Sequence, residues 1–148
     1  MNKKKPLAMT LVLTMLVVLS LFTAGCGKKT YSTLEEFLQD NPAAQSTLDA
    51  MSTSDSNGTA KLEVTGNTIV VKTYSNETLF GKDAQLDIQM KAYMDQYFSG
   101  ADIKKQTDSS ISQFAQASGI DASLISVRYE MYNPGASTPS YTYTYPQQ

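Results

Sequence analysis

The sequence predicts an α+β fold: a single small domain in which an antiparallel sheet of about four strands, arranged as two hairpins, is packed by helices in the order αα-ββ-αα-ββ. Three observations carry that expectation. Two strand-like runs, Lys61 to Val64 and Thr68 to Tyr74, flank Gly66-Asn67, a dipeptide suited to a tight hairpin turn. Between Asp83 and Gly119 the apolar residues recur at helical spacing. From Ile125 onward the period returns to two, the alternation of a half-buried strand.

The chain opens on Lys3 to Lys5, then an uncharged run of apolar and small residues from Leu7 to Phe22, then Thr23-Ala24-Gly25 and the only cysteine, Cys26. A basic start, an apolar segment and a small-residue exit make a secretory signal. The apolar run is sixteen residues long, short of the roughly 20 that span a bilayer. A thiol directly after Ala24-Gly25 resembles the lipobox of bacterial prolipoproteins. That resemblance implies a diacylglyceryl thioether on Cys26, cleavage before it, and a mature chain held on the extracytoplasmic face of the bacterial cell membrane. Two acyl chains anchor stably where one holds only marginally. The expected organisation is residues 1–25 as signal, 26–32 as lipidated cysteine and tether, and 33–148 as one α+β domain.

Without the signal, 123 of the 148 residues remain, enough for one core and too few for two. Nine basic residues then face fourteen acidic ones, a net charge of −5. That balance argues against nucleic acid or anionic lipid as a partner. With Cys26 acylated no disulfide can form, so stability rests on packing. Histidine is absent, which removes the commonest general base and metal ligand at neutral pH.

In order along the chain, Lys28 and Lys29 sit in the tether, placed to face lipid head groups. Thr33-Leu34-Glu35-Glu36 has capping-box spacing and starts a helix with Leu34, Phe37 and Leu38 inward. Asn41 then caps a second helix, with Pro42 in its first turn, that runs to about Met51. Ser52 to Thr59 has nothing to bury and reads as a loop before the first hairpin. From Asp83, Leu86, Met90, Tyr93, Met94 and Tyr97 form one apolar arc, with Asp87 beside it and Ile88 as an exception. After Ser99-Gly100 a weaker stripe of Ile103, Ile111, Phe114 and Ala117 ends at Gly119. Ile125, Val127, Tyr129 and Met131 point one way from the third strand; Asn133-Pro134-Gly135 turns the chain, and Tyr141 to Tyr145 returns as the fourth.

Thr33-Leu34-Glu35-Glu36-Phe37 with Asn41-Pro42, the Gly66-Asn67 turn into Ile69-Val70-Val71, and Gly119-Ile120 ahead of Val127 and Tyr129 resemble the small Firmicutes lipoproteins of the domain of unknown function 4854 family. The resemblance covers roughly residues 31 to 132. It implies a Gram-positive cell envelope and no characterised activity.

No constellation points to chemistry. In Asp55-Ser56-Asn57-Gly58, placing Gly58 at the sixth position of a calcium loop puts Thr53 first and Val64 twelfth, so both end carboxylates are missing. Glu35 and Glu36 diverge by ~100° on a helix and cannot flank one glycosidic bond. No cofactor motif is present, and none is expected. Tyrosine is the one enrichment: Tyr129, Tyr141, Tyr143 and Tyr145 either present an aromatic face to a ligand or pack on the helical layer. The expected function is a non-enzymatic binding or interaction module of the envelope, engaging an unknown protein, peptide or glycan. The alternative is a histidine-free envelope hydrolase of unknown substrate.

Overall fold

The computed structural model describes residues 29–146, so the signal segment and Cys26 lie outside the described residues. The fold is α+β; the described residues form one sheet of five strands in the order β1-β2-β3-β4-β5 and four α-helices. Among the described residues no helix is long and apolar enough to cross a membrane.

Helix α1 (Leu34–Asp40) starts as expected, with the Glu36 amide donating to Thr33 Oγ1 at 3.1 Å. The return arm closes one residue early, because the Glu36 carboxylate accepts from Ser32 N at 2.9 Å. Helix α2 (Pro42–Ala50) begins on proline, but the expected Asn41 cap is not made. Asn41 Nδ2 instead donates to the Phe37 carbonyl at 2.7 Å and the Tyr31 hydroxyl at 3.2 Å. Tyr31 is thereby held edge-on to Phe37, ring centroids 5.3 Å apart, and Lys29 pairs with Asp40. The packed domain thus reaches back into the expected tether.

The segment expected as a loop contains a strand. β1 (Thr53–Asp55) pairs antiparallel with β2 (Gly58–Thr65), which pairs antiparallel with β3 (Thr68–Ser75) through the Gly66-Asn67 turn. A polar edge strand buries little, so hydropathy gives no sign of it; its turn is built by Asp55, whose Oδ1 accepts from Asn57 N at 2.7 Å and Gly58 N at 3.2 Å. β4 (Ser126–Tyr132) lies beside β3 in parallel, and β5 (Tyr141–Tyr145) closes antiparallel on β4. The sheet is therefore mixed, not the antiparallel pair of hairpins expected. The physical reason is the helical connection between β3 and β4, which carries the chain back to the starting end before the next strand begins.

That connection contains α3 (Ala84–Phe98), α4 (Ala101–Ser118) and a 3-10 turn (Ala122–Leu124). Gly119 ends α4 at φ +73, a left-handed cap. The phase of α3 differs from the expected arc. Leu86 and Tyr93 are 60% and 53% exposed and Ile88 is 69% exposed, while Met94 and Phe98 are buried. Phe98 supplies the anchor that turns the helix, and Asp87 fixes its start by accepting from Gly81 N at 2.9 and 3.0 Å. The core lies between one face of the sheet and the helices, with Leu34, Leu48, Ile69, Val71, Phe98, Phe114 and Val127 at its centre.

Candidate functional site

The two faces of the sheet differ in kind. Alternation along the strands sends Leu62, Ile69, Val71, Val127, Tyr129, Tyr141 and Tyr143 to the helical side, where all join the core. Lys61, Glu63, Val70, Lys72, Tyr74, Arg128, Glu130 and Tyr132 stand on the opposite face, and Val70 and Tyr132 are buried without belonging to that core.

The tyrosines expected as a possible aromatic surface belong to the packed side. Tyr129, Tyr141 and Tyr143 are buried around Phe98, at ring-centroid distances of 4.7, 6.0 and 5.6 Å. Two of their hydroxyls tie strands to helices. Tyr129 bonds Thr107 Oγ1 at 2.7 Å, and Tyr141 donates to Asp95 Oδ1 at 2.7 Å. Burial is the main cause that pushes all three phenols above their ordinary pKa. Tyr145 is half-buried and donates to Asp108 Oδ1 at 2.7 Å. These four residues do not form an exposed binding face.

Tyr145 does line a groove of about 300 Å³ together with Asp108, Ile111, Ala122, Ile125 and Pro146. Ligand pockets begin near ~300 Å³. The carboxylate of Asp108 is already engaged by Tyr145 and by Lys104 at 2.9 Å, so the groove offers a ligand no unspent charge.

The opposite face is organised in cross-strand rows. Lys61, Lys72, Glu130 and Thr142 stand in register across four strands, and Glu63, Val70, Arg128 and Thr144 form the next row. Lys72 Nζ donates to Glu63 Oε2 at 2.5 Å, which is the main cause that raises the Lys72 pKa. Glu130, the only buried charged residue among those described, accepts from Arg128 Nε at 2.8 Å and from the Tyr132 hydroxyl at 2.5 Å. Burial first, and the adjacent Glu130 second, push the Tyr132 phenol well above its usual range. Tyr132 stacks on Tyr74 with centroids 4.7 Å apart, and Lys61 Nζ lies 5.9 Å from the Tyr74 centroid.

This face carries Lys61, Lys72 and Arg128 against Glu63 and Glu130, a net +1 on a chain of net −2. Sequence reasoning placed Arg128 and Glu130 on the outward side of their strand but did not join them to Lys72 and Tyr74, because that contact depends on the parallel pairing of β3 with β4. The available signal was Lys72 and Tyr74 alternating with Val71 and Thr73.

Among the described residues, no three of His, Cys, Asp and Glu gather closely enough to hold a metal ion. Comparison with protein-family models, curated proteins and solved structures returns no match.

Proposed function

We propose that this chain is a lipid-anchored lipoprotein of the extracytoplasmic cell envelope whose domain is a non-enzymatic binding module, with the sheet face opposite the described helices as its binding surface. One observation carries the reading. The parallel pair β3–β4 lies at the middle of the sheet, and parallel strands are normally covered on both faces. Here the second face holds a buried valine, a buried carboxylate and a stacked tyrosine pair with no layer over them among the described residues.

The chemistry of that face favours binding over catalysis. Glu130 already accepts from two donors, Arg128 Nε and the Tyr132 hydroxyl, so its oxygens are engaged within the face. Lys61 is exposed and Arg128 is partly exposed, so both present N–H groups on a face more positive than the chain as a whole. Charge complementarity therefore selects an anionic partner, a carboxylate- or phosphate-bearing envelope polymer.

Two measurements test the reading. Metabolic labelling with a fatty-acid analogue should tag the chain and fail to tag Cys26→Ser; a tagged Cys26→Ser protein removes the anchor. Retention of the domain on isolated anionic wall polymer should fall with added salt and with Lys61→Glu. Retention unchanged by Lys61→Glu moves the binding surface elsewhere.

A further inference from the structure

We propose that Asn57 is a site of spontaneous covalent modification, deamidated to aspartate and isoaspartate through the backbone nitrogen of Gly58, and that Asp55 restrains the reaction while β1 is paired. Neither the anchor nor the binding face proposed above is needed for it.

The chemistry selects one asparagine. Of the six in the chain, Asn57 alone precedes glycine. Asn41 and Asn133 precede proline, which has no N–H. After Asn2, Asn67 and Asn76 the next residue is Lys, Thr or Glu, whose Cβ crowds the approach to the side-chain amide; glycine has none. Asn57 is also exposed, in the tight turn between β1 and β2.

Gly58 N gives its proton to solvent base and attacks Asn57 Cγ. The new bond closes a five-membered imide as the bond from Cγ to Nδ2 breaks, and Nδ2 leaves with a proton as ammonia. Water then opens the ring. Opening between Gly58 N and Cγ leaves aspartate in a normal backbone. Opening between Gly58 N and the Asn57 carbonyl carbon leaves isoaspartate, with the backbone running through Cβ and Cγ. Nothing is oxidised or reduced, water is the sole co-reactant, and either product is more negative than asparagine by one charge.

The turn holds the reacting peptide in place. Asp55 Oδ1 accepts from Asn57 N at 2.7 Å and from Gly58 N at 3.2 Å, so the proton that must leave points at a carboxylate. A negative charge there disfavours the amide anion that attacks. From the other side the Asn57 carbonyl accepts from Asn76 N at 2.9 Å, and Asn76 Nδ2 donates to the Ser56 carbonyl at 3.2 Å. These bonds fix the peptide between Asn57 and Gly58, and the attack is fast only once they open. Opening involves little of the fold, because β1 is three residues long at the edge of the sheet, with Ser54 and Asp55 exposed. Such a strand belongs to the least stable part of a domain, so the restraint slows the reaction without abolishing it.

The products do not fit the turn. Asp55 pairs with Gly58, and Thr53 with Ala60, across Ser56 and Asn57. Isoaspartate lengthens that connection by a backbone carbon, and either product sets a second carboxylate near Asp55. β1 then loses its register, and the outer N–H and C=O groups of β2 are left open to another strand. Deamidation at Asn57 thus marks the age of the molecule by uncovering the edge that β1 protects.

The test incubates the chain isolated from cells at neutral pH. Peptide mass spectrometry reads amide-to-acid exchange at each asparagine, and an isoaspartyl methyltransferase reads the branched product. Asn57 should convert ahead of Asn76. Its conversion should rise at least about tenfold in Asp55→Ala, the factor by which losing a hydrogen bond to a carboxylate favours opening, and should rise likewise in urea. Ser54→Pro, which unpairs β1 and keeps the Asp55 acceptor, gives the same acceleration if Asp55→Ala does not fold. Amide exchange at Thr53 should be faster in the converted protein. Conversion of Asn57 no faster than that of Asn76, in the parent and in urea, removes the site. Equal rates in the parent, the variants and urea remove the restraint, and unchanged exchange at Thr53 removes the loss of β1.

Discussion

The Tyr132 hydroxyl donates to Glu130 Oε2 at 2.5 Å, joining two residues of one strand on the sheet face that none of the described helices covers. Both are 6% exposed. A carboxylate taken from water this far needs its donors, and Arg128 supplies the second.

Tyr132→Phe removes one of those donors while keeping the ring that stacks on Tyr74. The expected cost in a urea titration is about 1–3 kcal/mol, the penalty for leaving a buried acceptor short of a partner. Thr142→Ala, in the same row but exposed, should stay within about 0.5 kcal/mol. Equal costs for the two would mean that Glu130 draws nothing from Tyr132.

Phe98 and Tyr93 lie on different sides of α3 and should respond differently to truncation. Phe98 is 2% exposed and contacts four tyrosine rings, so Phe98→Ala should cost about 3–5 kcal/mol. Tyr93→Ala should cost less than about 0.5 kcal/mol, since the side chain is 53% exposed. A large effect at Tyr93 in the same titration would restore the arc expected from sequence.

This helix also shows where the sequence stops being legible. Its existence and its start near Asp83 follow from the change of period there, and its end from the Ser99-Gly100 interruption. Its phase does not, because Leu86-Met90-Tyr93 and Met90-Met94-Phe98 are both apolar stripes, and only the tyrosines of β4 and β5 decide between them. The first hairpin was legible because local turn chemistry sets its register. The pairing of β3 with β4 joins residues such as Val71 and Tyr129 across two intervening helices, and nothing local encodes it. The candidate face inherits that difficulty. Each strand shows its outward residues, but the Lys72–Glu130 row exists only once the two strands are side by side.

Gly58 tests the edge of the sheet. At φ +155 it lies in a region that side chains rarely adopt, and a Cβ there would stand 2.1 Å from the Tyr74 carbonyl oxygen. The obstacle is backbone, so it cannot rotate away. Gly58→Ala should destabilise by about 1–3 kcal/mol and should release β1, seen as faster amide exchange at Thr53 and Asp55. Unchanged stability would mean that the β1–β2 turn relaxes without cost.

The buried phenols predict an alkaline limit to stability. Tyr97, Tyr129, Tyr132, Tyr141 and Tyr143 all have raised pKa values with burial as the first cause, Tyr97 reaching about 12. A raised phenol pKa means the folded state holds the proton more tightly than the unfolded chain. The resulting stability is complete below the unfolded value, near ~10, and is lost as pH climbs toward the folded one. The Tm should therefore be insensitive to these groups at neutral pH and fall steadily above pH ~10. Tyr97 separates this effect from packing, because its hydroxyl is buried with no hydrogen-bond partner among the described residues. Tyr97→Phe keeps the ring beside Phe98, removes an unsatisfied polar atom and removes one group that must ionise on unfolding at high pH. Its Tm at pH 7 should equal or exceed that of the parent, and its decline above pH 10 should be shallower. A steeper decline, or a loss of Tm at pH 7, would show that the hydroxyl has a partner that stabilises the fold.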